Sequence, residues 1–301
     1  MRHRSRVGLF SLWLVAALLL AACGGDGGDG GTQATAPPQP AKVTVTASAS
    51  GKQVKFDVPA QVKPGATELS LVNNTKEPVE FQLVQLDEGH TLAEFYPSIE
   101  TEEPAPIPTW LHAFGGVGET SPGQTRSVVV DLKAGTYAWF SNTSPEQEGA
   151  QPLYKRGGEG SLEVTGDPSG APLPTTAAQI TAKEVSATDY RFETSGFKAG
   201  TNQITFTNGG GELHHVVIAR LAEGATIDKA REFFTTEDFK GPPPVDFDAS
   251  EITAVLDSGG KEVDTVELKS GSYALLCFLT DRAGSPPHVI KAKMLQEVTV
   301  P

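Results

Sequence analysis

Residues 271–300 read GSYALLCFLTDRAGSPPHVIKAKMLQEVTV. Tyr273, Leu275 and Cys277 alternate with Ala274 and Leu276, so one face of a first strand is an apolar row that ends in the cysteine. QEVTV at 296–300 reads as a second strand. The turn between them carries His288 and Met294. Apart from the initiator, Met294 is the only methionine, and apart from Cys23, Cys277 is the only cysteine. A soft thiolate, an imidazole and a thioether in one turn make a donor set that suits copper. A second imidazole has to come from elsewhere, and His214–His215 offers one.

Outward from this stretch the same texture recurs. VTVTA, VKFDV, ELSLV, EFQLVQL, SVVVDL, TYAWF and SLEV fill residues 43–164, and QITAKEV, YRFET, NQITFT, HHVVIARL, DTVELK, YALLCFL and QEVTV follow. Short alternating runs separated by Gly, Pro and Asn predict an all-β chain. At 301 residues the chain is long for one core, which predicts two domains. Val62–Gly89 aligns without a gap on Phe197–Gly224 at an offset of 135, and Lys63, Gly65, Asn73, Glu77, Leu86, Glu88 and Gly89 meet identical residues. Gly135-Thr-Tyr-Ala likewise matches Gly271-Ser-Tyr-Ala. The expectation is two tandem Greek-key β-sandwiches, at 41–166 and 178–301, joined by a linker at 167–177. Each carries a short helical excursion, one at Thr91–Tyr96 and one N-capped by Thr226 and running through Lys229, Ala230, Phe233 and Phe234. Opposite His214 and Cys277 the first half has Val79 and Ser141, so only the second half is equipped for a metal.

The N-terminus reads as an address. Arg2, Arg4 and Arg6 precede an apolar run that ends Leu20-Ala21-Ala22-Cys23, and these four residues resemble the lipobox of bacterial lipoproteins. That resemblance implies a signal peptide at 1–22, lipidation of Cys23 and a chain tethered to the membrane on its extracytoplasmic side. Residues 23–40 read as a flexible linker with a reach of roughly 20–25 Å. Removing Arg2, Arg4 and Arg6 from 24 Lys+Arg leaves 21 against 37 Asp+Glu, about −16, which disfavours nucleic acid as a partner.

Three separated motifs carry a second resemblance, over 178–301. Gly271-x-Tyr273-x-x-x-Cys277, Met294-x-x-x-Val298-x-Val300 and Leu213-His214-His215-Val216-Val217 are similar to the ligand-bearing segments of the cupredoxins, the plastocyanin-like blue copper domains. The resemblance implies one copper ion held by the Cys277 thiolate, His214 and His288, with Met294 as a weak axial ligand, and a one-electron carrier that meets a redox partner protein in the cell envelope. Alternation puts His214 and His215 on opposite faces without saying which face is core. The resemblance chooses His214 and leaves His215 as a neighbour of the site or an alternative ligand. Ten residues separate Cys277 from His288 and five separate His288 from Met294, a longer loop than the family's small members use. Lys291 and Lys293 read as a docking patch, and His90 and His112 as surface residues without partners.

No G-x-S-x-G, H-E-x-x-H, C-x-x-C or P-loop lysine occurs, so the expectation is a carrier and not an enzyme. A copper-trapping or delivery lipoprotein, and a metal-free interaction module of the envelope, are the competing expectations.

Overall fold

The alternating runs pair as strands throughout the computed structural model, which describes residues 38–101, 105–145, 150–235 and 241–301. The first half supplies β1 (Ala41–Ser50), β2 (Gln53–Asp57), β3 (Gln61–Val62), β4 (Gly65–Asn74), β5 (Val79–Leu86), α1 (Leu92–Phe95), β6 (Leu111–Thr120), β7 (Thr125–Leu132), β8 (Gly135–Phe140) and β9 (Glu159–Val164). The second supplies β10 (Ala178–Ser186), β11 (Asp189–Ser195), β12 (Gly200–Asn208), β13 (Val217–Leu221), α2 (Ile227–Phe234), β14 (Val245–Ile252), β15 (Lys261–Leu268), β16 (Gly271–Leu276), α3 (His288–Lys291) and β17 (Leu295–Val300). The fold is the expected all-β arrangement of packed sheets with short helical excursions.

Each half buries one face of its sheets in its own core. Leu69, Phe81, Tyr137 and Leu162 lie in the first. Ile180, Phe206, Ile218 and Leu275 lie in the second. A five-stranded sheet, β3-β9-β8-β5-β6, belongs to the first half, and a four-stranded sheet, β14-β13-β16-β17, to the second. The third sheet is shared. Its order is β11-β10-β12-β15-β7-β4-β1-β2, and β7 pairs antiparallel with β15 through Val128↔Asp264, Val129↔Val263 and Val130↔Glu262. The halves are thus joined by backbone hydrogen bonds as well as by the chain. The 167–177 segment lies pinned along this seam. The Ser169 N–H donates to the Pro64 carbonyl at 2.9 Å, and Ala171 is buried with Ala66, Val129 and Val263.

The residues that match between the halves close equivalent turns. Asn73 donates to the Glu77 and Thr120 carbonyls at 2.9 and 2.8 Å, and Asn208 donates to the Glu212 and Leu256 carbonyls at 2.7 and 2.9 Å. The Lys133 and Lys269 amides donate to the hydroxyls of Tyr137 and Tyr273 at 3.1 and 3.0 Å. Gly135 and Gly271 sit at φ +145° and +144°, where a side chain is strained. Both helical excursions are present. Thr226 caps α2 by accepting from the Lys229 N–H at 3.3 Å, and Thr91 with Glu94 forms a capping box on α1.

Three strands have no counterpart among the predicted runs: the two-residue β3, β6 and β14. β6 contains Gly115, Gly116 and Gly118, which sequence reading takes for turn residues. In the fold these glycines permit close backbone approach. A Cβ at Gly116 would strike the Phe81 carbonyl, and one at Gly118 the Ile252 carbonyl across the seam. No helix among the described residues is long and apolar enough to cross a membrane. Cys23, the proposed lipidation site, lies outside the described residues.

Candidate metal centre

Four elements converge at one end of the second core. His214 stands just before β13 and bridges to Leu256; Cys277 follows β16; His288 opens α3; and Met294 directly precedes β17. Val216 and Ile218 share the core cluster of Cys277 and Met294, whereas Val217 and Ala219 pack in a separate cluster beneath α2. That settles the face left open by alternation. His214 points with Val216 and Ile218 toward the cysteine.

The geometry is that of a donor cage. Cys277 Sγ lies 3.7 Å from His214 Nδ1 and 3.5 Å from His288 Nδ1, and all three side chains are fully buried. Among the described residues these three form the one group of His, Cys, Asp or Glu with metal-binding proximity, their donor atoms within 4.8 Å of one another. Met294 is fully buried in the same apolar cluster, its N–H donating to the His288 carbonyl at 3.1 Å. Lys293, just before it, is the one non-glycine at positive φ among the described residues (+53°), a local strain that the turn into Met294 tolerates. The ring edges of His214 and His288 pack on Tyr190 from β11, with centroids at 5.7 and 5.0 Å.

With Nδ1 of both rings turned to the sulfur, Nε2 carries the proton, and each Nε2 meets a carboxylate. His214 Nε2 is 3.3 Å from Glu184 Oε1, and His288 Nε2 is 3.0 Å from Asp281 Oδ1. Such partners fix the tautomer and the ring plane and make the ligand nitrogen more basic. Burial pulls the His214 and His288 imidazoles down to about 3 and about 4, so both are neutral and ready to ligate. Burial pushes the Cys277 thiol up to about 12, against the backbone N–H groups of His215 and Leu279. A thiol so costly to ionise in the dry site becomes a thiolate when a cation neutralises it. The donor chemistry fits copper: soft sulfur, two imidazoles, a thioether close by and no water-facing carboxylate in the cage.

His215 stays outside the cage, half-buried on the opposite face, where its Nε2 accepts from the Phe278 N–H at 3.1 Å. Lys291, read from sequence as part of a docking patch, is instead paired with Asp281, the carboxylate that holds His288. His90 stacks flat on Trp110 at 4.3 Å, and His112 meets Asp87 and Asp257 at 3.1 and 3.6 Å, so neither lacks a partner.

The long ligand loop is anchored on the first half. Arg282, at its centre, donates to the carbonyls of Pro108 and Leu111 at 2.8 and 3.1 Å, and pairs with Asp257 at 2.6 Å. Its own carbonyl accepts from the Ile107 N–H at 2.8 Å, and its N–H donates to Glu212 at 2.7 Å. The loop's length is therefore the reach needed to clamp the first half. Among the described residues, the corresponding end of that half holds no such donor group: Val79 and Leu153 are fully buried there, and the Ser141 hydroxyl accepts from the Glu80 N–H at 3.0 Å.

Sequence reading missed Glu184, Asp281, Tyr190 and Arg282. Asp281 and Arg282 lie inside the quoted loop, and their charge in the otherwise neutral stretch between Cys277 and His288 was the available signal. Glu184 and Tyr190 gave none. Asp281→Asn and Glu184→Gln are each expected to weaken metal binding by about 10–100-fold, measured by competition with a chelator of known affinity. An unchanged affinity in both would remove the carboxylates from the account.

No family model matches this chain, and no curated protein matches it. Among solved structures, auracyanin from the photosynthetic bacterium Roseiflexus castenholzii is similar at 17% identity over 42% of this chain and 99% of its own, with a TM-score of 0.31. The copper nitrite reductase from Nitrosomonas europaea is similar at 14% identity over 87% of this chain and 94% of its own, TM-score 0.26. A multicopper oxidase is similar at 13% identity over 86% and 88%, TM-score 0.24.

Proposed function

We propose that the chain is a membrane-anchored copper protein that carries single electrons between partners in the cell envelope. One observation carries this reading: two buried imidazole nitrogens converge on one buried sulfur within 3.7 Å, each ring held from behind by a carboxylate. His214, Cys277 and His288 would hold one copper ion, with Met294 as the weak axial donor. Bound copper supplies a one-electron couple.

The residues keep the cage the same in both oxidation states. Glu184 and Asp281 fix the ring planes, and the His288 N–H donates to the Leu279 carbonyl at 2.7 Å. Arg282 ties the loop to the first half, and burial keeps water from the sulfur. A rigid, dry site costs little rearrangement on gaining or losing an electron. The first half thus serves as the brace of the ligand loop. Anchoring is supported by Leu20-Ala21-Ala22-Cys23, whose acylated thiol would hold a strongly acidic protein at the membrane through its acyl chains.

Cycling the copper-loaded full chain with one-electron reagents tests the carrier role. The expected result is one electron per chain, reversible bleaching of the thiolate band and metal retained over many cycles. A chain that keeps Cu(I) and exchanges electrons slowly with a small reductant would instead be a trap.

A further inference from the structure

Gln82 and Val84 face away from the first core, which takes Phe81 and Leu83. Gln82 reaches the second half, donating to the Val255 carbonyl at 3.0 Å and accepting from the Val255 N–H at 2.7 Å. Beside this bond the two halves leave a cavity of about 320 Å³, walled by Val84 and Ala113 on one side and by Leu279 and His215 on the other. That volume is at the small end for ligand sites and suits one substituted ring.

Seven polar residues interrupt the mostly apolar wall, Glu80 and His215 among them. Glu80 Oε1 accepts from the Asn142 N–H at 2.7 Å, which leaves its second oxygen without a partner among the described residues. His215 Nε2 accepts from the Phe278 N–H, so the neutral ring carries its proton on Nδ1, also without a partner among the described residues. Burial raises the Glu80 carboxyl to about 7, against the Asn142 N–H and with repulsion from Glu119, so it takes up and releases a proton near neutrality. A mostly apolar slot with an acceptor and a donor rejects ions and selects an uncharged ring with hydroxyl groups. His215 follows His214 in the chain and bonds the residue after Cys277. The wall is therefore one peptide bond from His214 and one hydrogen bond from the residue that follows Cys277.

We propose that this cavity binds a small uncharged hydroquinone-class molecule between Glu80 and His215, as the electron donor to the copper centre. The proposal rests on the copper reading above. One hydroxyl donates to the Glu80 carboxylate, and another accepts from His215 Nδ1–H. A hydroquinone gives up two electrons and two protons to become a quinone. Two copper-loaded chains take one electron each, and the protons pass to the Glu80 carboxylate and to water.

The test uses trimethylhydroquinone without oxygen. With the metal-free full chain, binding is expected to shift the amide resonances of Val84, Ala113 and Leu279, and Ala113→Trp, which fills the slot, is expected to abolish those shifts. With the copper-loaded full chain, the reduction rate is expected to saturate with hydroquinone concentration. It falls by at least about tenfold in Ala113→Trp and in the near-isosteric Glu80→Gln, the latter through loss of the proton acceptor. Reduction by hexaammineruthenium(II), which needs no cavity, stays the same in all three proteins and reports an intact copper site. No binding to the metal-free chain, or a rate linear in concentration and equal in all three proteins, overturns the proposal. A chain that takes up no copper fails the copper reading and the donor role with it, while the metal-free arm still decides whether the cavity binds the ring.

Discussion

Replacing Cys277 with serine is expected to abolish the thiolate-to-Cu(II) absorption of the loaded chain and to weaken copper binding by at least about hundredfold, more than loss of an outer carboxylate partner costs. The direction follows from donor softness. A hydroxyl keeps the shape of the site and removes the polarizable sulfur that distinguishes it from an ordinary pair of imidazoles. The free chain is expected to stay folded, because serine is close to cysteine in size. Its hydroxyl in a fully buried apolar row costs about 1–3 kcal/mol, a deficit that a urea melt of the metal-free protein measures. An absorption band that survives the substitution would assign the colour to another ligand.

The second large effect lies at the seam. Arg126 of β7 is nearly buried, and it meets Asp264 at 3.2 Å and Glu251 at 3.3 Å while donating to the Glu119 carbonyl at 3.1 Å. Glu262, fully buried beside Asp264, accepts from the Gly116 N–H at 3.1 Å. Burial and the neighbouring Asp264 raise Glu262 well above the ordinary carboxylate range, and burial raises Asp264 too, against Arg126. Glu262 Oε1 and Asp264 Oδ2 are buried without a hydrogen-bond partner among the described residues, which favours a proton retained on Glu262. Arg126→Met leaves these carboxylates without their cation, and the expected loss is about 3–5 kcal/mol of stability.

The loss depends on pH in a definite direction. A buried carboxyl whose folded pKa is raised binds its proton more tightly when folded. Its contribution is greatest at low pH and falls as pH rises from the ordinary carboxylate range through the raised value. Without Arg126 that fall steepens, so urea melts at pH 5 and pH 8 should show the larger deficit at pH 8. A loss equal at both values, or close to zero, would mean that the cluster is not the electrostatic clamp described.

Legibility in the sequence followed the physics of each element. Strands whose apolar residues alternate, such as β5 and β16, announced themselves because one face must be buried. β6 did not, since its glycines serve close packing between sheets and sequence alone reads them as turns. β14, VDFDASEI, is mostly exposed along its length and shows little buried alternation. At the site, the side chains with rare chemistry were legible: a lone cysteine, a lone internal methionine and a histidine pair. Glu184, Asp281 and Arg282 belong to types that are common on any acidic surface, and only the fold distinguishes the three that touch the ligands or their loop. The choice between His214 and His215 needed to know which face of the strand was core. The brace role of the first half depends on Arg282 meeting carbonyls some 170 residues earlier in the chain, a contact that no local pattern encodes.

X-ray absorption at the copper edge of the loaded full chain tests the central claim most directly. The account predicts one copper per chain with one short sulfur and two imidazole nitrogens around it, the sulfur lost in Cys277→Ser. A shell of nitrogen and oxygen alone, or copper bound in equal amount by the serine variant, would contradict it.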